Sequence, residues 1–130
     1  MSHLLHSHLL PALQLHTLPK SSIDIYLLVL ESESPSIESV LASGLTVCAA
    51  AVADAGIPMN GLGVGLVASL HQAEDAGRTK PVVKLDPDGL QAREADARVT
   101  VACLPALDAV SDIWVTGEVT VESLLTVSRS

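Results

Sequence analysis

Apolar positions along the chain change period several times, and each change marks an element. Ile37, Leu41, Leu45, Cys48, Val52 and Ala55 recur in steps of three and four, which predicts a helix with one stripe facing a core. Its start is signalled by Ser34 as N-cap, Pro35 at the first helical position and Glu38 in the first turn, where a negative charge suits the helix dipole. Gly56-Ile57-Pro58 signals its stop. Glycine takes the left-handed position, Ile57 folds back onto the last turn, and proline forbids continuation. Ala42, Ala49, Ala50, Ala51 and Ala53 keep the other faces small, so that neighbouring elements can approach closely.

Ahead of this helix, residues 2–16 read as helical, with Leu4, Leu5, Leu9, Ala12, Leu13 and His16 near one face and Pro11 as a kink or a fresh start. Ile23 to Leu30 alternates as a strand: Ile23, Ile25, Leu27 and Val29 fill one face, and Asp24, Tyr26, Leu28 and Leu30 form the other. Beyond Pro58, the segment from Gly61 to Leu70 is a strand carrying three glycines. A polar hairpin loop follows from Gln72 to Lys80, then a strand at Pro81 to Leu85 and a turn at Asp86-Pro87-Asp88-Gly89. Leu90 to Asp96 is a helical turn or more loop. Ala97 to Leu104 and Val110 to Val115 are strands, Gly117 closes the second, and a last helix starts near Thr120. The sum is one α+β domain.

Composition narrows what such a domain does. The chain has 48% hydrophobic residues, 2% aromatics and no Phe, so its core is built from Leu, Val, Ala and Ile. Fifteen acidic against seven basic side chains give a net charge of −8, which makes the chain alone a poor nucleic-acid binder, since phosphate is held chiefly by Lys and Arg. High hydrophobicity in a small acidic chain favours assembly with partners. Cys48 and Cys103 sit in predicted core elements and read as free thiols of a reducing compartment, with a disulfide as the alternative. No apolar run approaches the roughly 20 residues that cross a bilayer, and no signal peptide is visible, so the reading is an intracellular protein without a membrane role.

Candidate chemistry is sparse. Gly61, Gly63 and Gly65 stand behind a helix and inside a strand, the reverse of the order in which a glycine loop presents phosphate to a helix N-terminus. Close packing of another element explains them better; Gly44, inside the helix, reads the same way. His3, His6 and His8 lack neighbouring acidic or thiol ligands and read as a solvated helix surface. His71 has no nucleophile elbow to serve. Asp86, Asp88, Glu94 and Asp96 could hold Mg²⁺ through oxygen, but a solvated loop suffices. Arg78, Lys80, Lys84 and Arg93 are candidate RNA contacts, with loop solubility as the plainer alternative.

Four segments carry a resemblance: LPKSSIDIYLLVLE (Leu18 to Glu31), ADAGIPM (Ala53 to Met59), KLDPDGLQAREADARVTVACLP (Lys84 to Pro105) and IWVTGEVTVESLL (Ile113 to Leu125). In this order the chain resembles the second half of an RNase PH-type domain, closest to ring subunits of the eukaryotic RNA exosome of the non-catalytic mRNA-transport type. The resemblance implies an RNase PH-like (ribosomal protein S5 domain 2-like) two-layer α/β sandwich, here a partial domain over residues 1–130 with the N-terminal strands missing. Active members of that family are phosphate-dependent 3′→5′ exoribonucleases with a Gly, Ser/Thr and Arg phosphate turn before the long helix. This chain has Glu31-Ser32-Glu33-Ser34-Pro35 there. Of the family's two metal-binding Asp positions, Asp96 matches one; the other falls near Leu90 or Gln91, which cannot replace a carboxylate. The resemblance therefore implies a structural subunit with no cofactor and Asp96 as a vestigial metal position. Its partners are other RNase PH-like ring subunits, cap proteins and, through the complex, RNA, and its location is nucleus, nucleolus and cytoplasm. An active phosphorolytic exoribonuclease, and a small Mg-dependent enzyme, are the alternatives.

Overall fold

The chain opens on helix α1 (Ser2–Leu9), which continues into short 3-10 turns at Leu10–Ala12 and Leu15–Thr17. In this computed structural model the described residues are 2–32, 37–75 and 78–118, of which 72–81 are described by their backbone. Helix α2 (Ile37–Asp54) lies on a sheet of four antiparallel strands: β1 (Val64–Asp75), β2 (Arg78–Leu85), β3 (Ala97–Leu104) and β4 (Ala109–Gly117). The spatial order is β2-β1-β3-β4, so β2 and β4 are the edges. A short helix α3 (Gly89–Glu94) bridges β2 and β3.

The apolar period of α2 is realised in its middle. Leu41, Leu45, Cys48 and Val52 are buried together with Ala42 and Ala49. Each such leucine contributes roughly 1.5–3 kcal/mol over its exposed state. The stripe fails at its ends, where Ile37 is 53% exposed and Ala55 is exposed. Glu38, read as a dipole partner, is instead buried, with its carboxylate 3.5 Å from Arg98 on β3. The N-cap at Ser34 and Pro35 lies outside the described residues, as does the last helix. The 18 residues and mean hydropathy of 1.5 of α2 meet the length and composition of a membrane crossing. However, its buried side packs on β1 and β3, and Glu38 is seated there, which is how a core helix behaves.

The stop is built as the sequence predicts. Gly56 has φ +70°, its N–H donates to the Ala53 carbonyl at 3.0 Å, and the Ile57 N–H donates to the Val52 carbonyl at 3.2 Å. These are the two bonds of a Schellman cap. A Cβ at Gly56 would meet nothing within 4 Å, so only the backbone conformation resists substitution. Gly56→Ala is therefore expected to cost about 1 kcal/mol, read as a lowered urea midpoint at unchanged slope.

Glycines also set the helix–sheet distance. A Cβ built on Gly65 would stand 2.7 Å from the Cα and 2.8 Å from the carbonyl carbon of Ala42, and nearer still to its oxygen. The Gly65 N–H donates to Thr46 Oγ1 at 3.0 Å, which ties the strand to the helix at the point of closest approach. A Cβ on Gly44 would lie 2.8 Å from Leu27 Cδ2, so this glycine likewise admits a neighbour.

Three expectations are corrected. Residues 23–30 form no strand: among the described residues nothing offers them a ladder, and a strand exists only through its neighbour's hydrogen bonds. Their alternation nevertheless survives in burial. Leu27 is partly buried against the core, whereas Tyr26, Leu28 and Leu30 are 93%, 80% and 89% exposed. The polar stretch from Gln72 to Lys80, expected as a loop, extends the hairpin instead, with Asp75 opposite Arg78 and Ala73 opposite Lys80. An antiparallel ladder propagates through backbone groups and tolerates polar residues past the covered part of the sheet. His8 is 3% exposed rather than solvated. It stands three and four positions after Leu5 and Leu4, on the side that α1 turns inward. His3, His6 and His16 are exposed.

Candidate functional site

Two clefts flank residues 23–32. One, of about 610 Å³, opens between α1 and residues 23–29 and is lined mostly by Leu, Ile and Val, with Ser2, His6, Tyr26 and Cys48 among them. Burial raises the Cys48 thiol above its ordinary range. Both cysteines are free; Cys48 is buried and Cys103 partly so, its Sγ 3.6 Å from the Val64 carbonyl.

The second cleft, of about 720 Å³, is the one to which the resemblance points. It is walled by residues 27–32, the outer side of α2 from Ser39 to Val47, and residues 86–89. Among the described residues its charged lining is Glu31, Asp86 and Asp88, with no Lys or Arg. Asp88 is the N-cap of α3, its Oδ1 accepting from the Leu90 and Gln91 N–H groups at 3.1 and 2.8 Å. Asp86 holds φ +49° and donates its N–H to the Val67 carbonyl at 2.9 Å. The Asp88 carboxylate thus has local backbone work, a signal the turn chemistry carried but the metal reading passed over.

Asp96 stands beyond the far end of α3, about 10 Å of helix rise from Asp88, and its N–H donates to the Leu70 carbonyl at 3.0 Å. It does not line the cleft. Among the described residues no three His, Cys, Asp or Glu side chains gather as a metal site. The candidate cations are divided rather than gathered. Arg78, Lys80 and Lys84 follow one another along edge strand β2, while the exposed Arg93 is on α3.

Sequence reading missed three polar features. Ser69 Oγ lies 3.0 Å from His71 Nε2, yet Ser69 is fully buried, so this pair cannot reach a substrate. Arg98 and Glu38 form an ion pair between β3 and α2. His8 Nδ1 lies 3.3 Å from Asp112 Oδ2 on β4, although the angle satisfies no hydrogen bond and both ring nitrogens are buried without one. Only the first has a spacing signal, since residues two apart on a strand share a face; the other two join elements distant in sequence.

No family model matches the chain. Comparison with individual proteins is decisive. Exosome complex component MTR3 of Homo sapiens is 37% identical over 108 residues, covering 83% of this chain. The chain is a homologue of exosome components. Exosome complex component Rrp41 of Thermococcus kodakarensis is 29% identical over 119 residues, covering 92% of this chain. The crystal structure of rice (Oryza sativa) Rrp46 superposes with a TM-score of 0.55 at 20% identity, over 70% of this chain and 39% of that one, which establishes the fold as RNase PH-like. This exosome homologue spans 36% of the length of human MTR3 and 43% of the archaeal Rrp41.

Proposed function

We propose that the chain contributes a non-catalytic, RNase PH-like structural part to the ring of an RNA exosome, in support of 3′→5′ RNA degradation and processing. The observation that carries this reading is the charge of the second cleft. Where an active relative would hold phosphate, Glu31, Asp86 and Asp88 line the space with no cation among the described residues. Two like charges about 4 Å apart repel by about 4 kcal/mol near a protein surface, so phosphate brought among carboxylates is rejected, not bound. Asp96, away from the cleft, is a vestigial metal position in this reading.

Other RNase PH-like ring subunits and cap proteins are the proposed partners, and nucleus, nucleolus and cytoplasm the proposed locations. Arg78, Lys80 and Lys84 are proposed contacts for RNA passing the assembled ring; Arg93, on another element, is the weakest of the original four. Two readouts test the reading together. The purified chain incubated with RNA and inorganic phosphate should release no nucleoside diphosphate, and a tagged chain should co-purify with ring subunits identified by mass spectrometry. Phosphorolysis by the pure chain, or a chain that stays alone in cells, sinks the proposal.

A further inference from the structure

The stretch that alternates like a strand without forming one is also unbonded. Among the described residues no backbone N–H or C=O of residues 23–31 has a hydrogen bond, and Tyr26, Leu28 and Leu30 are the most exposed large apolar side chains. Unpaired backbone beside exposed apolar side chains is a template for pairing with another chain. Residues 27–31 of this stretch stand on one wall of the second cleft, and the other walls are of two kinds. Val40 and Val47 of α2 offer apolar surface, while Asp86 and Asp88 offer charge, to which the stretch itself adds Glu31. The Glu31 and Asp86 carboxylates have no hydrogen-bond or ion-pair partner among the described residues, and Asp88 engages only Oδ1 in its cap.

We propose that this cleft receives an extended segment of a partner protein that combines apolar residues with Lys or Arg and pairs by its backbone with residues 27–31. The pairing supplies the ladder that the stretch lacks, the apolar side chains cover the exposed leucines and valines of the lining, and the cations meet Glu31, Asp86 and Asp88. About five residues suffice, since residues 27–31 extend over roughly 13 Å at about 3.3 Å per residue. Charge decides between occupants. RNA brings phosphate, which the three carboxylates repel, and a second copy of this chain brings a net charge of −8 to a wall already acidic. The inference rests on the ring reading for a partner chain and adds the chemistry which that partner presents.

A blocked peptide of alternating Val and Arg is the probe, and amide hydrogen exchange of the full chain is the readout. The peptide should slow exchange at residues 27–31 on the order of tenfold and leave the edge strand β4 unchanged. The same peptide with Glu for Arg should not protect them, and N-methylation of alternate peptide residues should abolish protection by removing the donors of the ladder. Glu31→Gln combined with Asp86→Asn should weaken binding of the Arg peptide on the order of fivefold. Both side chains are exposed, and asparagine suits the φ of +49° at Asp86, so the fold should stand. Equal protection by the Glu or the N-methylated peptide, equal protection of β4, or binding unmoved in the double variant would each overturn the inference. A chain that co-purifies with ring subunits yet ignores the peptide overturns this inference alone, whereas one that binds the peptide but stays alone in cells overturns the ring reading.

Discussion

Gly65→Ala is expected to lower stability by about 3 kcal/mol, at the upper end of what overpacking one side chain costs. The added methyl meets backbone atoms of Ala42, not a side chain that could swing aside, at 2.7 and 2.8 Å. Relief requires α2 to lift from β1. That movement also stretches the 3.0 Å hydrogen bond from the Gly65 N–H to Thr46 and loosens Leu41 and Leu45, which are 0% and 2% exposed. Gly63→Ala is the internal control. A Cβ there sits 3.5 Å from the Ala49 Cβ, an ordinary contact, and Gly63, one residue before β1, has no positive φ. It should be neutral or stabilise slightly, by up to about 1 kcal/mol, through the unfolded chain. Urea denaturation of both variants provides the comparison. Equal midpoints for the two alanine variants would show that the helix is free to float on the sheet.

Much of this architecture was legible because it is written in local chemistry. The cap at Gly56, the three- and four-residue steps of α2, and the strands Ala97–Leu104 and Ala109–Gly117 all follow from periodicity and turn residues close in sequence. The close packing expected of the glycines holds at Gly65 and Gly44, whereas Gly61 and Gly63 precede β1 and leave ordinary contact distances. What failed was non-local. Residues 23–30 carry the alternation of a strand, but pairing depends on a neighbour that periodicity cannot supply, and the described residues contain none. Gln72 to Lys80 lacks that alternation, yet the backbone ladder runs through it. In one case side-chain pattern without a partner gives no strand, and in the other a partner without the pattern gives one.

The candidate site divides along the same line. The acidic character of Glu31-Ser32-Glu33-Ser34-Pro35 was visible, because a charge sign is a property of the residues themselves. That Asp86 and Asp88 share one cleft with Glu31 depends on α3 and β2 folding back beside residues 27–32, and is legible only in three dimensions. The Mg²⁺ alternative drew on the spacing of four acids, but a helix of six residues separates Asp88 from the Ala95-Asp96 end of the cluster. Proximity in sequence overstated proximity in space.

Arg98→Met should destabilise the chain by about 2 kcal/mol. The reason lies less in the lost attraction than in the carboxylate left behind: Glu38 keeps 7% of its side chain exposed, its partner 3.5 Å away is gone, and water cannot fully replace it. Removing one member of a fully buried pair costs roughly 3–5 kcal/mol, and the smaller figure here reflects the 28% exposure of Arg98. The mechanism is separable from a loss of packing, because methionine retains most of the aliphatic stem of arginine. A second substitution, Glu38→Leu, decides it. If an orphaned charge is the cause, the double variant should recover most of the loss, since an apolar pair replaces an ionic one at little cost. If Arg98 acts mainly by covering the sheet, the two losses should add. Urea midpoints of the wild type, both single variants and the double variant complete the cycle. Simple additivity would show that the ion pair between α2 and β3 is incidental to the stability of the fold.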